Sequence, residues 1–326
     1  MQTPGIVGAA VVAVVALAAC GQGSSGDAGS GGTSGTGAAA SSGGSSSGGG
    51  TTSGGATAAG GATDTGGEGG ATSSGGTASS GCEGPAGPSG VQELNIDVDG
   101  QTRTFVLSVP DGYDGASALP LVFAWHGAGG SGSLARLYFG VEQAAAGAAI
   151  FVYPDGLPDD EDETGWDLAD DGIDVAFFDH LLEEVSADYC VDANRVFSIG
   201  HSFGGYMTNR LGCSRGGVLR GVGPVAGGPH FGGGDCDEPI AAFMVHGTFD
   251  EVVLLEQGEL AREDYLGRSQ CGETSMPVDP APCVQYDACA SEHPIVWCEH
   301  DTAAEDAHGW PDFVAAGMWD FLSSLP

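Results

Sequence analysis

The stretch "IGHSFGGYM" (residues 199–207) sets a serine between glycines two positions away on either side. A serine hydroxyl attacks a carbonyl only when a base removes its proton and something stabilises the resulting oxyanion. The run "RVFSI" before it is strand-like, and "GGYMTNRL" after it opens a helix. G-x-S-x-G at a strand-to-helix junction predicts a nucleophile elbow, a corner so tight that side chains at the flanking glycines would collide. Ser202 is therefore the candidate nucleophile. A merely flexible glycine turn is the alternative, and the strand and helix around the motif argue against it.

Such a serine needs an imidazole and a carboxylate to orient it, in the chain order serine, acid, histidine. Asp250, in "VHGTFDE", comes a short turn after an apolar run and is the candidate acid. Asp235, Asp237 and Glu238 precede that run and fit less well. Among His293, His300 and His308, the last lies in "EDAHGWPDF", just before a closing helix, and is the candidate base; His300 is second choice. His180 reads as a helix-face residue, and His126 and His246 as caps of strand ends. For the oxyanion, one N–H comes from Phe203 and the other from Gly127 or Ala128 in "WHGAGGSG", where glycine permits close backbone approach.

The elements that must position these groups are legible as short, wholly apolar runs. "LPLVFAW", "GAAIFVYP", "NRVFSIG", "LRGVGPVAG" and "IAAFMVHG" each give way at once to a Gly or a polar residue, at His126, Asp155, His201, Gly228 and Thr248. Strands buried on both faces read this way, which predicts a mostly parallel α/β sheet flanked by helices, with its chemistry beyond the carboxyl ends of the strands. "VQELNIDV" and "TRTFVLSV", joined by Asp99-Gly100, predict a β-hairpin at the start. Residues 174–188 and 312–322 carry helical spacing.

Charge excludes some partners. With 44 acidic residues against 8 basic ones, all arginine, the net charge of −36 rules against nucleic acid and anionic membrane surfaces. The apolar run at residues 6–19 has the length of a secretory h-region and ends in "LAAC", which resembles a lipobox with Cys20 as the lipidated residue, although "MQTPG" lacks the usual positive charge. Cleavage elsewhere, as an ordinary secretory signal, is the other option. Residues 21–81 are nearly all Gly, Ser, Ala and Thr and predict a flexible tether reaching roughly 40–45 Å. The expected organisation is a leader at 1–20, a linker at 21–81 and one catalytic domain at 82–326. The membrane is met only through Cys20, so the expected location is the cell envelope, on an outer membrane, or the extracellular space. Besides Cys20, eight cysteines remain, an even number that suggests four disulfides in an exported chain. Cys213–Cys236 and Cys289–Cys298 each close a short loop and are the expected pairs. No zinc-type spacing is present, so neither a metal nor a cofactor is expected.

"HGAGG", "GHSFGG", "HGTFD" and "HGWP", in that order, together with "ADYCVDANRVF" and the "YDAC…WC" pair, resemble secreted α/β-hydrolase esterases of the feruloyl esterase and polyhydroxybutyrate depolymerase group, and feruloyl esterases most. The resemblance implies the α/β-hydrolase fold and a triad of Ser202, Asp250 and His308. It also implies that Trp166, in "ETGWD", lines the acyl pocket; His201, beside the nucleophile, is a further candidate for substrate contact. The chain departs from the group in placing Asp306-Ala307, not two glycines, before His308, and in the acidic run "LPDDEDET". The implied function is hydrolysis of feruloyl esters of polysaccharide. Hydrolysis of a short-chain polyester or of acetyl esters on xylan is the neighbouring alternative, and a non-catalytic binding module on the same scaffold is the alternative of another class.

Overall fold

A computed structural model describes Cys82 and residues 87–159, 162–230, 236, 238–303 and 306–326. The leader, Cys20 and the Gly/Ser-rich tract lie outside the described residues.

The opening hairpin pairs β1 (Gly90–Val98) with β2 (Gln101–Val109). Both turn residues have positive φ, 52° at Asp99 and 88° at Gly100, the combination that lets a two-residue turn follow the twist of its strands. The chain continues through β3 (Leu119–Trp125), α1 (Gly132–Phe139), α2 (Val141–Ala145), β4 (Ile150–Pro154), the short pair β5 (Leu157–Pro158) and β6 (Thr164–Gly165), and α3 (Ile173–Asp188). Then come β7 (Val191–His201), α4 (Phe203–Ser214), β8 (Gly221–Val225), β9 (Ala241–Gly247), α5 (Leu255–Arg268), β10 (Ser275–Pro277), β11 (Cys283–Tyr286), β12 (Ile295–His300) and α6 (Asp312–Ser324).

Ten strands form one sheet in the order β1-β2-β4-β3-β7-β8-β9-β12-β11-β10. The stretch from β4 to β12 is parallel, and antiparallel strands extend it at both edges. The wholly apolar runs are explained by burial on both faces. Along β3, Leu121, Phe123 and Trp125 point into the layer under α3, α4 and α5, while Val122 and Ala124 point into the layer under α1, α2 and α6. Alternate residues of one strand thus serve two cores.

The fold corrects the expected disulfide map in part. Cys213–Cys236 is present, but Cys289 joins Cys271, and Cys298 joins Cys283, with Cys82–Cys190 as the remaining pair. The reason is register: β11 runs antiparallel to β12 with Cys283 directly opposite Cys298. Cys289 meanwhile follows β11 back to the end of α5, where the Cys271 N–H bonds the Leu266 carbonyl.

Candidate active site

At the end of β7 the backbone turns into α4 through Ser202, which has φ 55° and ψ −118°. This is a costly conformation for a residue with a side chain, and the surroundings enforce it. A Cβ on Gly200 would collide with the Gly204 carbonyl, and one on Gly204 with the Trp125 carbonyl. The Ser202 N–H is held by the Val225 carbonyl at 2.9 Å. Phe203 begins α4, so its N–H has no acceptor within the helix and lies at the positive end of the helix dipole.

The structure brings Ser202, His308 and Asp250 together from three separate segments. His308 Nε2 is 2.8 Å from Ser202 Oγ, and His308 Nδ1 is 2.8 Å from Asp250 Oδ2. Because a carboxylate only accepts, Nδ1 carries the proton, leaving Nε2 free to accept from the serine. Asp250 sits in the turn after β9, and its Oδ1 receives the N–H groups of Val252 and Val253, both at 2.9 Å. Burial alone would raise the Asp250 carboxyl; the His308 hydrogen bond and charge, with those two N–H groups, outweigh it and hold the group below its ordinary range. His246, buried within β9, donates Nε2–H to the Val253 carbonyl at 2.8 Å and braces the same turn. His300 stands at the end of β12 with Nδ1 on Thr302 Oγ1, and His293 lies in the turn before that strand; neither joins the cluster.

The loop after β3 lies against the elbow: a Cβ on Gly127 would stand 3.3 Å from Ser202 Cβ. His126 shapes this loop. Its Nε2 accepts the Gly156 N–H at 2.9 Å, so Nδ1 carries the proton and donates to the Gly127 carbonyl at 2.7 Å. Burial keeps this imidazole neutral by lowering its pKa. Gly129 N–H to the Thr164 carbonyl, at 2.8 Å, and Thr164 Oγ1 to the Gly130 carbonyl, at 2.6 Å, pin the far side. The main chain of Gly127 is thereby placed beside the serine.

Trp166 is only 5 % exposed. Its indole N–H donates to the His126 carbonyl at 2.8 Å, and its ring meets Trp125 edge-on at 4.9 Å. In this position it supports the β3 loop and offers little surface to a ligand. His201 also points inward, with Nε2 2.5 Å from the His308 carbonyl. Tyr138, which the sequence reading passed over, accepts the Trp310 N–H at 2.8 Å. Nothing in an exposed helical tyrosine announces that contact.

A serine on a strained corner beyond a parallel sheet, faced by an imidazole and a carboxylate, belongs to the α/β-hydrolase class. The solved structures agree on the fold. An acetyl xylan esterase from Aspergillus awamori superposes with a TM-score of 0.53 at 13% identity, covering 68% of this chain and 98% of the other. A carboxylesterase from Mesorhizobium loti gives 0.50 at 15% identity, covering 71% and 99%. No protein-family model matches the chain. Among curated proteins it is 30% identical over 264 residues to feruloyl esterase D of Neurospora crassa, covering 74% of this chain and 88% of that one. It is 33% identical over 233 residues to feruloyl esterase C of Emericella nidulans, covering 68% and 82%. The chain belongs to the feruloyl esterase family and is a carboxylic ester hydrolase.

Proposed function

We propose that the protein hydrolyses hydroxycinnamoyl esters, of which feruloyl groups on polysaccharide are the leading case, by a serine acyl-enzyme mechanism. The observation that carries this reading is the continuous relay from Asp250 through His308 to Ser202 Oγ. Ser202 Oγ attacks the ester carbonyl as His308 Nε2 takes its proton. The carbonyl oxygen becomes an oxyanion facing the N–H of Phe203 and that of Gly127 or Ala128. The tetrahedral intermediate collapses, the C–O bond to the alcohol breaks, and His308 returns the proton to the leaving oxygen. A water then enters by the same steps in reverse and frees the acid. Asp250 keeps the imidazole in the tautomer this cycle needs and stabilises the imidazolium. The feruloyl preference is supported by the relatives named for it.

The four disulfides support an exported protein. A leader at 1–20, a tether at 21–81 and a catalytic domain from residue 82 complete the reading; attachment through Cys20 rests on "LAAC" alone. The test offers methyl ferulate, naphthyl acetate and a short polyhydroxyalkanoate to the full-length chain. Preference for methyl ferulate supports the assignment. Turnover of the polyhydroxyalkanoate alone replaces it with the polyester reading, and failure of a fluorophosphonate to label the native protein points to a binding module.

A further inference from the structure

The residue immediately before the nucleophile has a task that its place in G-x-S-x-G does not reveal. His201 closes β7, one peptide bond from Ser202. Its Nε2 lies 2.5 Å from the main-chain carbonyl of His308. A carbonyl only accepts, so His201 Nε2 carries the proton and donates. The elbow and the loop bearing the base are therefore joined twice, once between the reacting side chains and once through this bond.

The ring is held in place for that purpose. Tyr138 meets it edge-on at 5.6 Å, Trp310 edge-on at 6.3 Å, and the His308 ring at 5.1 Å. Other contacts grip the loop on either side of His308. Ala307 is fully buried, with its carbonyl against Gly247, where any Cβ would collide. Trp310 N–H is held by Tyr138 Oη at 2.8 Å. These anchors act on His308's neighbours; His201 alone acts on the main chain of His308 itself among the described residues.

We propose that His201 is a positioning residue for hydrolysis, holding the His308 backbone so that Nε2 stays aimed at Ser202 Oγ. The proposal rests on the serine mechanism above. Electrostatics agree with the geometry. Burial first, then the charge of His308, lowers the His201 pKa to about 4. His201 therefore stays neutral around neutral pH and puts no second positive charge beside the imidazolium that forms during attack. A misplacement on the order of 1 Å in such a site costs about 100-fold in rate.

The experiment measures kcat and KM for p-nitrophenyl acetate on the full-length protein and its His201→Phe, His201→Gln and Ser202→Ala variants, each checked by thermal melt. Phenylalanine keeps the ring and loses the donor; glutamine returns an N–H near the Nε2 position. The expected result is a kcat about 100-fold lower for His201→Phe with KM within about threefold, and recovery to within about fivefold of wild type for His201→Gln. A His201→Phe kcat close to wild type overturns the proposal, and so does a glutamine variant as impaired as the phenylalanine one. Should His201→Phe not fold, His201→Gln decides: a folded, active protein supports positioning, and a folded but impaired or an unfolded one overturns it. Ser202→Ala separates the two readings. If it retains activity, the serine mechanism itself fails; if it is inactive while His201→Phe is active, only the role of His201 falls.

Discussion

Asp174 and Asp250 are both buried, at 1 % and 4 % exposure, and each is joined to a cationic or protonatable partner, yet they respond in opposite directions. Asp174, in the first turn of α3, accepts Arg103 Nη2 at 2.5 Å and the Asp167 N–H at 2.6 Å. Burial dominates there and raises its pKa despite the guanidinium. Arg103 stacks on the Phe177 ring at 4.1 Å and leaves Nε and Nη1 buried without a partner among the described residues. Asp250 is buried too, but its hydrogen bonds and the His308 charge prevail and its pKa falls. The lesson is that burial does not mark a functional acid. What differs is where the partner leads: Arg103 ends in the core, whereas His308 is 23% exposed and reaches Ser202.

That contrast can be broken at several points. Ser202→Ala removes the group to which the Asp250 relay leads, so hydrolysis falls by about a millionfold, roughly 8 kcal/mol, with loss of fluorophosphonate labelling. Asp250→Asn keeps the shape but favours the wrong imidazole tautomer, lowering kcat by about 10⁴, roughly 5.5 kcal/mol, while the melting temperature moves little. Asp174→Ala has the opposite signature. It strands Arg103 in the core and costs about 3–5 kcal/mol of stability in denaturant titration. The kcat of the protein that remains folded stays near wild type. A large kcat loss in that variant would erase the distinction between the two sites.

The smallest expected effect is in the pH dependence of stability. The Asp250 pKa is lowered on folding, so its contribution is present above the unfolded carboxyl value, about 3.9, and is lost as pH falls through the folded value. The Asp174 pKa is raised, so its contribution is present below that unfolded value and is lost as pH rises through the folded one. In melts across the acidic range, the gap between wild type and Asp250→Asn therefore narrows on acidification, and the gap to Asp174→Asn widens. Slopes of the same sign would sink the comparison.

Part of the candidate site was readable in the chain because the elbow is local geometry. Gly200 and Gly204 are needed within one turn, and that need is visible as spacing. Asp250 follows an apolar run by three residues, and the Asp99-Gly100 hairpin announces itself by residue type. Other elements gave no such signal. α5 fully buries only Gly258, Ala261 and Tyr265, too few large apolar residues to mark a face. β10, β11 and β12 are short and interrupted by proline and cysteine, so their alternation is weak. The Cys283–Cys298 pairing depends on strand register, which loop length does not encode.

The chain by itself determined the apolar strands and the glycine-framed serine, because each depends on neighbours a few residues apart. Tertiary structure decided which of three histidines meets the serine, which cysteines pair, that Trp166 braces a loop, and that His201 grips the His308 main chain. Those outcomes depend on distances between segments remote in sequence. Such distances are set only when both faces of the sheet are packed and each loop is left one place to lie.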